Sequence, residues 1–120
     1  MNKQRKTSIK TELDNLRAIK RSLRANPPTR EALAKDLAAA KARIDAIHDA
    51  EQSDYEKMSE KQQCSTQGEI AEECIALLED SMDYMDELVS ESCMDEEMEL
   101  ADIGYGMDDV IDLLDDLFNM

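Results

Sequence analysis

The chain has 120 residues, 36% of them charged, a formal net charge of −15, four aromatic side chains (3 Tyr and 1 Phe) and no tryptophan. With 3 Gly, 2 Pro and 1 His it lacks the glycine-rich loops and histidine pairs that phosphate-loop and nucleophilic catalysis require, and no enzymatic activity is expected. Such a composition suits long helices built on Leu, Ile and Ala stripes.

Thr7 or Ser8 is the expected cap of a first helix, in which Ile9, Leu13, Leu16, Ile19 and Leu23 recur at helical spacing. Asn26-Pro27-Pro28 ends it, because neither proline continues the backbone ladder, and Thr29 is placed to cap the next. The second helix carries Leu33, Leu37, Ala40, Ile44, Ile47 and Met58 on alternating steps of mostly three and four residues, with Glu51 in the gap before Met58. Two amphipathic rods joined by so short a turn predict an antiparallel hairpin. Residues 59–68 read as a connection, in which Thr66-Gln67-Gly68-Glu69 has the form of a capping box. A third helix follows, with Ile70, Cys74, Leu77, Leu78, Met85, Leu88 and Val89 inward, breaking near Ser92 or running to Ile103. Gly104-Tyr105-Gly106 reads as a stop, and a last short helix, about Asp108 to Phe118, shows Val110, Ile111, Leu114, Leu117 and Phe118 on one side.

The fold class expected is therefore all-α: an antiparallel helical hairpin or coiled-coil bundle, with a long acidic third helix folded back on it. Residues 1–61 form a mixed-charge hairpin and 62–120 an acidic helical segment, together one structural unit. The few large apolar groups make a homo-oligomer the natural expectation. Cys64, Cys74 and Cys93 show no Cys-x-x-Cys spacing and read as free thiols in a reducing cytosol. No apolar run is long enough for a signal peptide or a membrane span, so a cytoplasmic location is expected.

Charge is the sharpest feature. All 14 Lys and Arg lie at or before Lys61, against 10 acids, a net +4; the remaining 59 residues hold 19 acids and no base, a net −19. Glu69, Glu73, Asp80, Asp83, Glu87 and Glu91 repeat along one face of the third helix, and Glu72, Glu79 and Asp86 widen that strip. Stacked like charges repel by a few tenths of a kcal/mol per pair, about as much as Glu–Lys pairs would gain. The strip is thus either an ordinary solvated face or a surface in use, and it is the candidate partner-binding site.

The segment Glu51-Gln52-Ser53-Asp54-Tyr55-Glu56-Lys57-Met58-Ser59-Glu60, followed by Glu69-Ile70-Ala71-Glu72-Glu73-Cys74-Ile75-Ala76-Leu77-Leu78-Glu79-Asp80, resembles small acidic coiled-coil proteins of tailed bacteriophages. Ser59 stands where that pattern has proline. The resemblance covers about residues 40–90 and implies a phage origin, hence a bacterial host cell, and a helical hairpin; it implies no activity.

No cofactor, defined metal site or small-molecule substrate is expected. Asp45-x-x-His48 is half of a di-iron-type motif whose other elements are missing, and His48 reads as a solvated side chain. Asp108, Asp109, Asp112, Asp115 and Asp116 lack the spacing and central glycine of a calcium loop. Met82, Met85, Met94, Met98 and Met107 read mainly as adaptable core, the alternative being a pliable apolar strip that grips a partner. The partner expected is a host protein with a basic nucleic-acid-binding channel, blocked by regularly spaced carboxylates as by a DNA mimic. The alternative is a self-assembling phage structural protein, in which the basic first helix of one copy lies on the acidic helix of the next. Direct nucleic-acid binding through Lys3, Arg5, Lys6, Lys10, Arg17, Lys20, Arg21 and Arg24 is disfavoured, because the whole molecule repels phosphate.

Overall fold

The computed structural model describes residues 1–94 and 100–120, without the side chains of 92–94 and 101. Asn2, rather than Thr7 or Ser8, opens the first helix, its Oδ1 accepting the Arg5 backbone N–H at 2.8 Å. Thr7 and Ser8 lie inside that helix and donate their hydroxyls back to the carbonyls of Lys3 and Gln4, the other local bond open to such side chains. Helix α1 (Lys3–Ala25) stops ahead of the two prolines, and Thr29 caps α2 (Arg30–Glu56) by accepting the Ala32 N–H at 3.1 Å.

The connection expected after α2 holds a single helical turn, α3 (Glu60–Gln63), and α4 (Thr66–Met94) begins inside it. The capping box lies at Ser59 and Gln62, each side chain bonded to the other's backbone N–H, and not at Thr66 and Glu69. Ser65 takes the Gly68 N–H at 3.3 Å and so starts α4. The turn is tight because Gly68 has no side chain: a Cβ there would stand 2.1 Å from the Gln63 carbonyl oxygen.

The last helix corrects the sequence reading most. Helix α5 (Leu100–Phe118) is 19 residues long and runs straight through Gly104-Tyr105-Gly106. Neither glycine has a positive φ. At Gly106 the missing side chain serves close approach instead, since a Cβ would meet Leu88 Cδ2 at 2.7 Å. The expected run of the third helix to Ile103 falls partly outside the described residues.

Contacts along the rods fix their directions. Arg5 reaches Glu51 and Asp54 while Glu12 reaches Arg43, so α1 and α2 are antiparallel. Tyr55 meets Glu72, His48 meets Glu79 and Lys41 meets Asp86, so α2 and α4 are antiparallel too. Arg17 with Asp115 and Lys20 with Asp108 set α5 antiparallel to α1. The result is an up-down-up-down bundle ordered α1, α2, α4, α5 around one axis, 51 × 23 × 18 Å overall. The α2–α4 interface is the most extensive and α1–α2 the thinnest. One core joins all four rods, with Ile9, Leu13 and Leu16 against Leu33, Leu37, Ile44, Leu78, Met85, Met107 and Leu114. The expected inward face of α4 is corrected at one end: Ile70 is exposed, while Ala71 and Ile75 are buried. Among the described residues no helix is long and apolar enough to cross a membrane.

Candidate functional site: an acidic face on α4 and α5

Helix α4 carries its acids in two register sets, and the bundle treats them differently. Glu72, Glu79 and Asp86, spaced by seven residues, all turn to α2. There Glu72 accepts from the Tyr55 hydroxyl, Glu79 lies 3.1 Å from His48 Nε2, and Asp86 lies 2.7 Å from Lys41 Nζ. The hydrogen bond to Asp86 raises the Lys41 pKa, and that to Glu72 raises the Tyr55 pKa. These three are seam residues, each already holding a partner.

Glu69, Glu73, Asp80, Asp83, Glu87 and Glu91 lie outward of that seam; Asp80, Asp83 and Glu87 border α5 at Leu113, and Asp83 is also near enough to Lys41 of α2 to help raise its pKa. All but the half-buried Glu91 are exposed, and none makes an ion pair among the described residues. The basic helix α1 does not neutralise them, because it stands diagonally across the bundle and pairs with α2 and α5.

Sequence reasoning missed the second wall of this face. Asp80, Asp83, Tyr84 and Glu87 share a groove of about 320 Å³ with Leu113 of α5. Asp109 and Asp116 lie one turn before and after Leu113, and Asp112 beside it; all three are exposed. Asp108 and Asp115 point to α1 instead, where Lys20 and Arg17 meet them. A seven-residue count along α5 separates the two pairs, but only the order of helices around the bundle says which pair is free. The face is therefore double-sided, acidic on α4 and on α5, with no Lys or Arg in either helix.

The remaining candidates resolve into structural roles. Asp45, His48 and Asp49 bring one possible ligand atom each within 4.8 Å of one another. Both His48 ring nitrogens, however, already meet carboxylates, Nδ1 at 3.3 Å from Asp49 and Nε2 at 3.1 Å from Glu79. Burial lowers the His48 pKa, but these two carboxylates outweigh it, and the imidazole ends above its ordinary value. That favours the protonated ring, whereas a metal ligand must be neutral. Cys64 is exposed and Cys74 buried, both free, and burial pushes the Cys74 thiol up; the Cys93 side chain lies outside the described residues. Met85 and Met107 are fully buried core and Met82 is half-buried, whereas the side chains of Met94 and Met98 also lie outside them. No family model, curated protein or solved structure matches this chain.

Proposed function

We propose that this is a binding protein that lays its α4–α5 acidic face into a cationic, nucleic-acid-binding channel of a host machine. The single observation that supports the reading is the sorting of acids. Arg5, Arg17, Lys20, Lys41 and Arg43 pair across the other seams, whereas Glu69, Glu73, Asp80, Asp83 and Glu87 of α4, with Asp109, Asp112 and Asp116 of α5, are exposed and make no ion pair among the described residues. Carboxylates recurring every one or two turns, about 5–11 Å apart, repel each other in the free protein. A channel lined with Lys and Arg would relieve that repulsion and release counterions, as phosphates do. A phage protein directed at host nucleic-acid handling fits this reading and the resemblance of residues 40–90.

The test is capture from a bacterial lysate on immobilised protein, followed by elution with salt and competition with duplex DNA. Steep loss with salt and mutual exclusion with DNA are expected. Reversal of Asp80, Asp83, Glu87 and Glu91 to Lys is expected to abolish capture. Reversal of Glu31 and Asp36 on α2, both exposed, is the control, read against reversal of Asp80 and Asp83 alone so that the change in charge is equal. A captured partner that binds DNA and this protein together, with salt-insensitive affinity, would refute the reading.

A further inference from the structure

The seam between α1 and α5 carries the opposite charge. Arg17, Lys20, Arg21 and Arg24 line a groove of about 300 Å³ there, with Asp108 and Ile111 as its other wall. Their spacing of three, one and three residues puts all four on the side of α1 turned toward α5 and solvent. Asp108 holds Lys20 and Asp115 lies 3.5 Å from Arg17, which fixes those two side chains along the groove. Arg21 and Arg24 are exposed and make no ion pair among the described residues. Two carboxylates thus face four cations, an excess of positive charge in a molecule whose total is −15.

The groove also has a second compartment. Lys20 and Arg24 continue into a recess of about 80 Å³ closed by Leu23, Gly104 and Tyr105. Tyr105 projects from the lip with 65% of its surface exposed, the most exposed large apolar side chain among the described residues.

We propose that the α1–α5 groove binds a compact polyphosphate. The Arg21 and Arg24 guanidiniums present planar forks that match phosphate oxygens, and Lys20, held in the same groove by Asp108, adds a third donor. The charge of the whole chain opposes a long nucleic-acid strand, which would run past the seam toward the free acids. It opposes a short anion far less. Of the unpaired acids of α5, Asp109 and Asp116 flank Leu113 on the α4 side and only Asp112 lies one turn from Asp108, and exposed charges are screened over about 8 Å at physiological salt. The polyphosphate could be inorganic or part of a nucleotide, and Tyr105 separates the two, because only a nucleobase can stack on its ring.

The test is isothermal titration of the full chain with inorganic tripolyphosphate and, separately, with ATP, both free of divalent cations. Both probes are expected to bind at low salt and to weaken as salt rises. The double variant Arg21→Gln, Arg24→Gln is expected to lose about tenfold or more in affinity for each. Its thermal melt is expected to match the parent, since neither side chain is packed or paired. Tyr105→Ala weakens ATP alone if the natural ligand is a nucleotide, and leaves both probes unchanged if it is inorganic; either result supports the groove. Amide shifts on titration are expected at Lys20, Arg24 and Tyr105. No heat with either probe would overturn the proposal, as would undiminished binding by the double variant or amide shifts confined to α2 and α4. A lone Arg24→Gln variant serves if the double variant melts early.

Discussion

Glu12 is a carboxylate in the wrong place for a simple amphipathic helix, and it offers a test of how this bundle tolerates charge. It is only 4% exposed, takes Arg43 Nε at 2.6 Å on one oxygen, and leaves its other oxygen buried without a hydrogen-bond partner. The pair crosses the α1–α2 interface, the thinnest of the four seams between neighbouring long helices. Removing one partner of a buried ion pair costs about 3–5 kcal/mol, whereas replacing the pair by apolar groups is often neutral or stabilising. Arg43 is half exposed, so water already attenuates the pairing and Arg43→Met is expected to cost less, about 2–3 kcal/mol. Glu12→Met removes the orphaned oxygen and frees the guanidinium into solvent, and is expected to be neutral or stabilising by up to about 1–2 kcal/mol. The double variant should match Glu12→Met, giving a coupling of about 2–3 kcal/mol. Urea denaturation followed by circular dichroism reads all four corners of the cycle. Equal losses for the two single variants, with the double variant no better, would refute the reasoning, because the pair would then be a net source of stability.

His48 gives a pH dependence of definite sign. Its folded pKa is raised, so its contribution is complete below the unfolded value of about 6.5 and fades as pH rises through the folded value; His48→Gln should flatten melts across that window. Gly68→Ala should destabilise strongly, since its Cβ would meet backbone at 2.1 Å, whereas Gly104→Ala, in ordinary contact at 3.5 Å, should gain up to about 1 kcal/mol of helix propensity. Thermal melts rank the two, and the opposite order would refute the local geometry. Raising ionic strength at neutral pH should raise the melting temperature, because screening relieves the unpaired acids more than it weakens the seams; a fall with salt would reverse that balance.

Much of the fold was legible in the sequence. Pro27-Pro28 with Thr29 marks a real reversal, and the stripes Ile9, Leu13, Leu16 and Leu33, Leu37, Ile44 are buried as their spacing requires. What failed did so for physical reasons. Thr7 and Ser8 can bond backwards within a helix as readily as they cap one, and Asn2 is an equally good capping residue ahead of them. Gly104 and Gly106 read as a stop because glycine usually ends helices. Only a neighbour at Leu88 reveals that Gly106 is there for close approach. Glu12 and Glu51 are buried by partners on other rods, Arg43 and Arg5, which no local spacing announces. The two register sets of the acidic ladder were visible as a seven-residue repeat. Which set faces α2 depends on the order of rods around the axis, and that is a tertiary fact.

That order gives the bundle's charge a logic. Three of its four seams are stitched by unlike or hydrogen-bonding groups: Arg5 and Arg43 across α1–α2, Lys41, His48 and Tyr55 across α2–α4, and Lys20 and Arg17 across α1–α5. Among the described residues the α4–α5 seam has no such stitch. Its walls are acidic on both sides, with Asp80, Asp83 and Glu87 on α4 and with Asp109 and Asp116 a turn either side of Leu113 on α5, over the apolar packing of Leu88, Met107 and Leu114. A helix selected only for solubility gains a few tenths of a kcal/mol from each Glu–Lys pair on its free face, and α4 and α5 contain no base with which to form one. The seam therefore stays short of stabilising charge for as long as the protein is alone. A cationic surface laid along it would do for α4 and α5 what Arg5, Lys41 and Lys20 do for the other three seams, and would tighten the bundle as it bound.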